Sequence, residues 1–340
     1  MLHKITLSLC LLAVFLVTGC QDHQVVAPSA FTTTPFATGL LSPIGVDTDP
    51  SGRIWVTEGG TGQNDGRVSI VTPDGVVHPV ITGFDSEIFQ GEPNGLNHLL
   101  FADGWLYILG SHSKFYKVNV ANYKVGDPTI SAQSLPVEDK KQWILDYKFP
   151  TGLDTEDTHL YNMAIGPDGD LFFTDAGANA IIRRTKAGVW SVFSILPPVA
   201  NPAGTVPPIP FSESVPTGIV YDGQKFLVST LVGFPFAETS SVIYQVDAAG
   251  SATVVKSGFT SIVDINLETN LGLLLLQHGV FAGGFSHNTG RLIQVAGNGN
   301  SVLVDKLDLP TDLKQTSANT YYVTVLGPNA TSGSLLKITR

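Results

Sequence analysis

Short apolar runs alternate along this chain with turns rich in glycine, aspartate and proline, and the alternation repeats. PIGVDTDPSGRIWVTEGG (43–60), GLNHLLFADGWLYILGS (95–111) and LYNMAIGPDGDLFFTDAG (160–177) share one plan of apolar run, tight turn and second apolar run. PTGIVYDGQKFLVSTL (216–231), SIVDINLETNLGLLLLQ (261–277) and PTDLKQTSANTYYVTVL (310–326) are looser copies. Apolar runs of this length bounded by turn residues read as strands. Most copies continue into a third strand and a further short turn, as in GRVSIVTPDGVVHPVITG (66–83) and SVIYQVDAAGSATVVKSG (241–258). Six such units predict an all-β chain, a six-bladed β-propeller of four-stranded blades. The last unit ends at LLKITR without an outermost strand, and SAFTTTPFATGL (29–40) has the composition to supply it and close the ring. A seven-bladed ring with one degenerate blade and a pair of β-sandwiches are the alternatives. One short helix is expected around 137–147.

Composition adds location. Residues 1–19 carry Lys4 followed by the apolar ITLSLCLLAVFLV, the pattern of a signal peptide. The run ends in LVTGC, which resembles a bacterial lipobox and makes Cys20 the lipidated N-terminus of the mature protein. Gln21 in place of aspartate points to the outer membrane of the bacterial envelope. Residues 20–30 read as the anchor and tether, and 31–340 as the propeller. Cys10 leaves with the signal peptide, so no disulfide or catalytic thiol is available. Without Lys4 the mature chain has 18 basic and 29 acidic residues, a net charge of −11, which argues against nucleic acid as a partner. A monomer attached to the membrane through its lipid is expected.

The copies differ mainly at one rim. Turns between strands one and two, and three and four, are all short. The opposite rim carries EGGTGQNDG (58–66), LVGFPFAETS (231–240), QHGVFAGGFSHNTG (277–290) and two insertions, 120–158 and 195–215. Long loops gathered on one end of a rigid scaffold mark a binding face for a small molecule or protein. Counting back from each turn, the innermost strands begin at Gly45, Asn97, Asn162, Gly218, Asp264 and Asp312. Glu58, Asp175 and His278 end or follow second strands at the same rim. Converging amide and carboxylate oxygens suit Ca²⁺, and a hydrated channel is the plainer reading. Phe234, Phe236, Phe281 and Phe285 form either a lip over the mouth or self-pinned loops. DTDPSGRIWVTE (47–58) mimics an EF-hand loop, but Pro50 and the absence of flanking helices make it a blade turn.

The segments PTGIVYDGQKFLVSTLVGFPF (216–236), DAGANAIIRR (175–184) and SGFTSIVDI (257–265) resemble the ScyD/ScyE family of exported bacterial propellers. The resemblance spans 39–340 and implies six blades related to NHL and TolB-type propellers. It implies little chemistry. Family members carry an Asn-Pro before blade 3, where this chain has DTEDTHLYNM. A more distant likeness is to regucalcin/gluconolactonase propellers, whose central metal is held at this rim. By position it implies Asn162 and Asp264 as metal ligands, with Glu58 a weaker match. Two functions follow as expectations: a lipid-anchored binding module at the long-loop face, and a metal-dependent lactonase-like hydrolase.

Overall fold

The computed structural model describes residues 30–150, 156–268, 270–297 and 299–340. The signal peptide, Cys20 and nearly all of the tether lie outside the described residues. Residues 31–340 form one compact unit.

Six antiparallel four-stranded sheets make the six blades. Blade 1 runs through Pro43–Thr48, Ile54–Glu58, Gly66–Val71 and Val77–Phe84. Blade 3 (Leu160–Ile165, Leu171–Asp175, Ala180–Arg184, Trp190–Ile195) and blade 5 (Ile262–Glu268, Gly272–Gln277, Gly290–Ala296, Gly299–Leu307) follow the same order, as does blade 4 from Pro216–Tyr221 to Ala252–Phe259. Blade 6 has three strands from the C-terminus and a fourth, Thr32–Leu40, that pairs from Thr32↔Thr339 to Leu40↔Gly333. Blade 2 takes its fourth strand, Val137–Asp139, from the insertion, and the expected helix follows over Lys141–Leu145. The same insertion lays Ile130–Ser131 parallel against the outer strand of blade 1.

Strand side chains alternate between sheet faces, so each apolar strand feeds two seams. Phe172 packs toward blade 4 with Phe226 and Tyr244, whereas its neighbour Phe173 packs toward blade 2 with Phe115. The buried apolar residues sort into six clusters, and each fills the seam between two neighbouring blades. A single blade would leave both faces wet, which is why the repeat is stable only as a closed ring.

The inner strands are joined by hydroxyl groups. Thr57 Oγ1 donates to the Asn97 carbonyl at 2.5 Å, Thr174 Oγ1 to the Thr217 carbonyl at 2.7 Å and Thr324 Oγ1 to the Ile44 carbonyl at 3.0 Å. Each bond satisfies a carbonyl of the next blade, and those to Thr217 and Ile44 lie at a bulge in the inner strand. Five of the six inner strands carry such a register break at their first residues, for instance between Leu160 and Asn162 and between Ile262 and Asp264. Bulges re-aim side chains, and here they set which residues enter the channel.

Candidate functional site

The register fixes the ring of first channel-facing residues. Asn162 lies opposite Thr174, Asp264 opposite Leu276 and Asp312 opposite Thr324. Gly45 and Gly218 hold the same place, their N–H groups donating to Thr57 Oγ1 at 2.7 Å and Ser229 Oγ at 3.0 Å. In blade 2 the equivalent residue is His98, not Asn97: Leu99 pairs with Ile108, and Leu109 N–H donates to the His98 carbonyl. Counting from the turn shifts blade 2 by one because its Asp103–Gly104 turn is shorter. The two glycines admit no side chain, since a Cβ at Gly45 would stand 2.8 Å from His98 Cα and one at Gly218 2.5 Å from Ile265 N. Four side chains therefore occupy the ring: His98, Asn162, Asp264 and Asp312.

Three of them form one hydrogen-bonded group. Asn162 Nδ2 donates to Asp264 Oδ1 at 3.2 Å. Leu313 N–H is shared between Asp312 Oδ1 at 2.8 Å and Asp264 Oδ2 at 3.2 Å, while Val46 N–H donates to Asp312 Oδ2 at 2.6 Å. Two carboxyls served by one N–H stand close enough to repel each other when both are ionised. Burial, and then the adjacent Asp312, push the Asp264 carboxyl well above the ordinary carboxylate range.

A cavity of about 280 Å³ adjoins this group. Its lining starts at Asn162, Asp264 and Asp312 and reaches Asp47, Ile165 and Lys314, further along the inner strands toward the short turns. It thus runs toward the short-turn rim, where Ile165 is exposed, and not toward the expected long-loop mouth. Lys314 and Asp47 pair across it at 2.5 Å. Both were absent from the residues read off the sequence, although Lys314 is two positions past Asp312 and so shares its face.

On the long-loop side, residues just before the ring layer over the carboxyl pair. The His98 ring meets Tyr161 edge-on at 4.5 Å, and Tyr161 lies 6.2 Å from His159, whose Nε2 bonds Asn97 Oδ1 at 3.1 Å. Asn97 Nδ2 donates to the Leu160 carbonyl, so Asn97 is spent on joining blades 2 and 3. Burial, with Asp312 and Asp264 nearby, pushes the Tyr161 phenol up. Tyr161 is the bulged residue of its strand and could not be assigned to the channel from the sequence alone.

The remaining expected residues lie elsewhere. Glu58 is fully enclosed and accepts from Leu41 N–H at 2.7 Å, Ser69 Oγ at 2.5 Å and both arms of Arg67 at 2.7 and 2.8 Å. Asp175 accepts from Thr158 Oγ1, from His159 N–H at 2.7 Å and from Ala178 N–H at 2.9 Å, and burial pushes its carboxyl up. Both acids fasten a blade to the chain entering it and do not face the cavity. His278 bonds the Pro310 carbonyl at 2.9 Å and packs on Phe285 at 4.8 Å. Phe236, Phe281 and Phe285 stack on one another within 5.4 Å, which pins the loops of blades 4 and 5, while Phe234 stays 57 % exposed. Asp49 accepts from Ser51 and Trp55 inside the first blade turn.

A Ca²⁺ shell takes about six to eight oxygens. Here Asn162 turns its amide nitrogen to Asp264, its Oδ1 accepts from Met163 N–H at 2.7 Å, and both carboxyls accept from Leu313 N–H. No group of three or more His, Cys, Asp or Glu stands in a metal-holding arrangement among the described residues. The ring offers three oxygen-bearing side chains whose oxygens already accept from N–H groups, too few for a Ca²⁺ shell.

Burial lowers the basicity of His98, His159 and His278. Their contribution to stability is full above the ordinary value near 6.5 and is lost as pH falls below it, by at most about 1.4 kcal/mol per pH unit for each. Asp175 and Asp264 act oppositely, losing stability as pH rises above about 3.8 toward their folded values. With three groups against two, the melting temperature is expected to fall from pH 7 to pH 5, and to fall less in His278→Gln. A variant slope equal to the wild-type slope would contradict this assignment.

No family model matches the chain, and no curated protein does. Solved structures do. A PQQ-bound aldose sugar dehydrogenase from Streptomyces coelicolor aligns with a TM-score of 0.58 at 13 % identity, over 92 % of this chain and 99 % of that one. A gluconolactonase from Xanthomonas campestris aligns at 0.54 and 11 %, over 91 % and 89 %. A virginiamycin B lyase from Staphylococcus aureus aligns at 0.52 and 15 %, over 91 % and 99 %. At these identities the likeness establishes the propeller fold that this chain shares with them.

Proposed function

We propose that this chain is a hydrolase of small lactone-like esters that works in the channel cavity. The observation that carries the reading is the Asp264–Asp312 pair, joined through the shared Leu313 N–H at the inner end of a 280 Å³ cavity. A carboxyl kept protonated by burial beside a second carboxyl supplies an acid and a base together. In this mechanism Asp312 takes a proton from water as the water oxygen bonds to the ester carbon. Asp264 gives its proton to the departing ring oxygen as that bond breaks. The product is a hydroxy acid, and the proton on Asp312 returns to the neighbouring Asp264. Gluconolactonases are among the propellers of similar fold, which supports this reading over a purely binding role.

The test is proton release on mixing the protein with a panel of neutral five- and six-membered lactones. Turnover is expected in the wild type and absent in Asp312→Asn. Silence across the panel from a folded protein would sink the hydrolase reading. A second reading, non-catalytic binding at the long-loop rim, is favoured by the exposed Phe234 beside its pinned neighbours.

The LVTGC motif further supports lipid attachment at Cys20 and a place at the outer membrane. Cells given labelled palmitate are expected to label the wild type and not Cys20→Ser. Equal labelling of both would remove the anchor.

A further inference from the structure

We propose that His98 is a positioning residue of the acid pair: its Nε2 lone pair receives the proton that Asp312 takes up. The argument starts from a polar atom without a partner. His98 is 1 % exposed, and its Nδ1 stands 2.8 Å from the Tyr161 carbonyl. A carbonyl oxygen only accepts, so Nδ1 carries the hydrogen and Nε2 of the neutral ring is left with a lone pair. That Nε2 is buried with no hydrogen-bond partner. It faces Asp312 Oδ1 at 3.7 Å.

Two acceptors facing each other in a dry site are unfavourable unless a proton lies between them. When Asp312 is protonated the gap closes into an O–H···N bond, and when it is not the gap stays open. The ring therefore favours the state in which the proton has moved onto Asp312. On the other side of Asp312, Asp264 accepts from Asn162, which steadies Asp264 once it has given its proton away. Tyr161 at 4.5 Å and the Thr311 carbonyl complete the surroundings of the His98 ring, and Tyr161 holds the ring plane toward Asp312. The Lys314–Asp47 pair lies further down the cavity and is occupied with itself.

The kinetic consequence rests on the hydrolase reading; the tautomer does not. A long-range ¹H–¹⁵N spectrum of the wild type at pH 7 is expected to show His98 neutral with its hydrogen on Nδ1. An imidazolium, or a hydrogen on Nε2, would overturn the proposal whether or not any lactone is hydrolysed. His98→Gln places an amide oxygen where Nε2 stood, and His98→Leu removes the acceptor. His98→Leu is expected to lower kcat about tenfold with KM unchanged, the effect of one lost hydrogen bond in the transition state, and His98→Gln to recover most of it. An unchanged kcat in His98→Leu would overturn the proposal, as would equal losses in both variants. If His98→Leu fails to fold, the spectrum and His98→Gln decide.

Discussion

Replacing Asp264 by Asn is expected to cut hydrolysis steeply and to leave the propeller more stable, relative to the wild type, at pH 8 than at pH 4. Asp264 is buried, and its carboxyl is pushed up by that burial and by Asp312. A carboxyl raised in the folded state lends stability that is full below about 3.8 and is lost as pH rises through its folded value. At pH 8 the wild type bears that cost and the neutral amide does not. The amide oxygen can still accept from Leu313 N–H, but the amide nitrogen then replaces the Oδ1 that accepts from Asn162 Nδ2, and that bond is given up. The amide has no acidic proton to give a leaving oxygen, so the rate should fall by about 10²–10⁴. Paired melting curves and rate measurements at pH 4 and pH 8 check this. A drop in melting temperature at both pH values with the rate retained would make Asp264 a structural residue.

Removing the Glu58 carboxylate should have the opposite profile. Glu58 has no exposed side-chain surface and is the common acceptor for Arg67, Ser69 and Leu41 N–H. Glu58→Ala leaves a partly buried guanidinium, a hydroxyl and a backbone donor without partners. Breaking such a pair from one side costs about 3 kcal/mol or more, equivalent to roughly 6 °C for a domain of this size. The lost bonds hold the entry of blade 1 against the end of its second strand, far along the chain from Asp264 and Asp312. A denaturant midpoint lowered without change in kcat is the expected result. A large loss of rate at unchanged stability would return Glu58 to the site, as its rim position in the sequence suggests.

Asp175 carries the same message. It shares a repeat position with Glu58, ends a second strand, and accepts from the N–H of His159 just before the inner strand of blade 3. Seen as one acid among several near the rim, it looks like a ligand. Seen in its sheet, it is the fastening that holds a blade to the chain entering it. Repetition of an acid at one blade position was legible; whether that acid pointed at a cavity or at backbone donors was not.

The sequence by itself determined the number of blades, the strands within them and the filling of the seams. These follow from local features: turn residues that end runs, and apolar residues alternating between two buried faces. It also determined that Asn162, Asp264 and Asp312 stand at one repeat position. Tertiary structure decided the rest, because it turns on single-residue register and on contacts between strands distant in sequence. A one-residue difference in the blade 2 turn put His98 in the ring and Asn97 outside it. Bulges aimed Tyr161 over the carboxyl pair, and close approach of inner strands reserved Gly45 and Gly218 for glycine. Only the closed ring brought Asp264 against Asp312, Lys314 against Asp47, and the cavity to the short-turn rim.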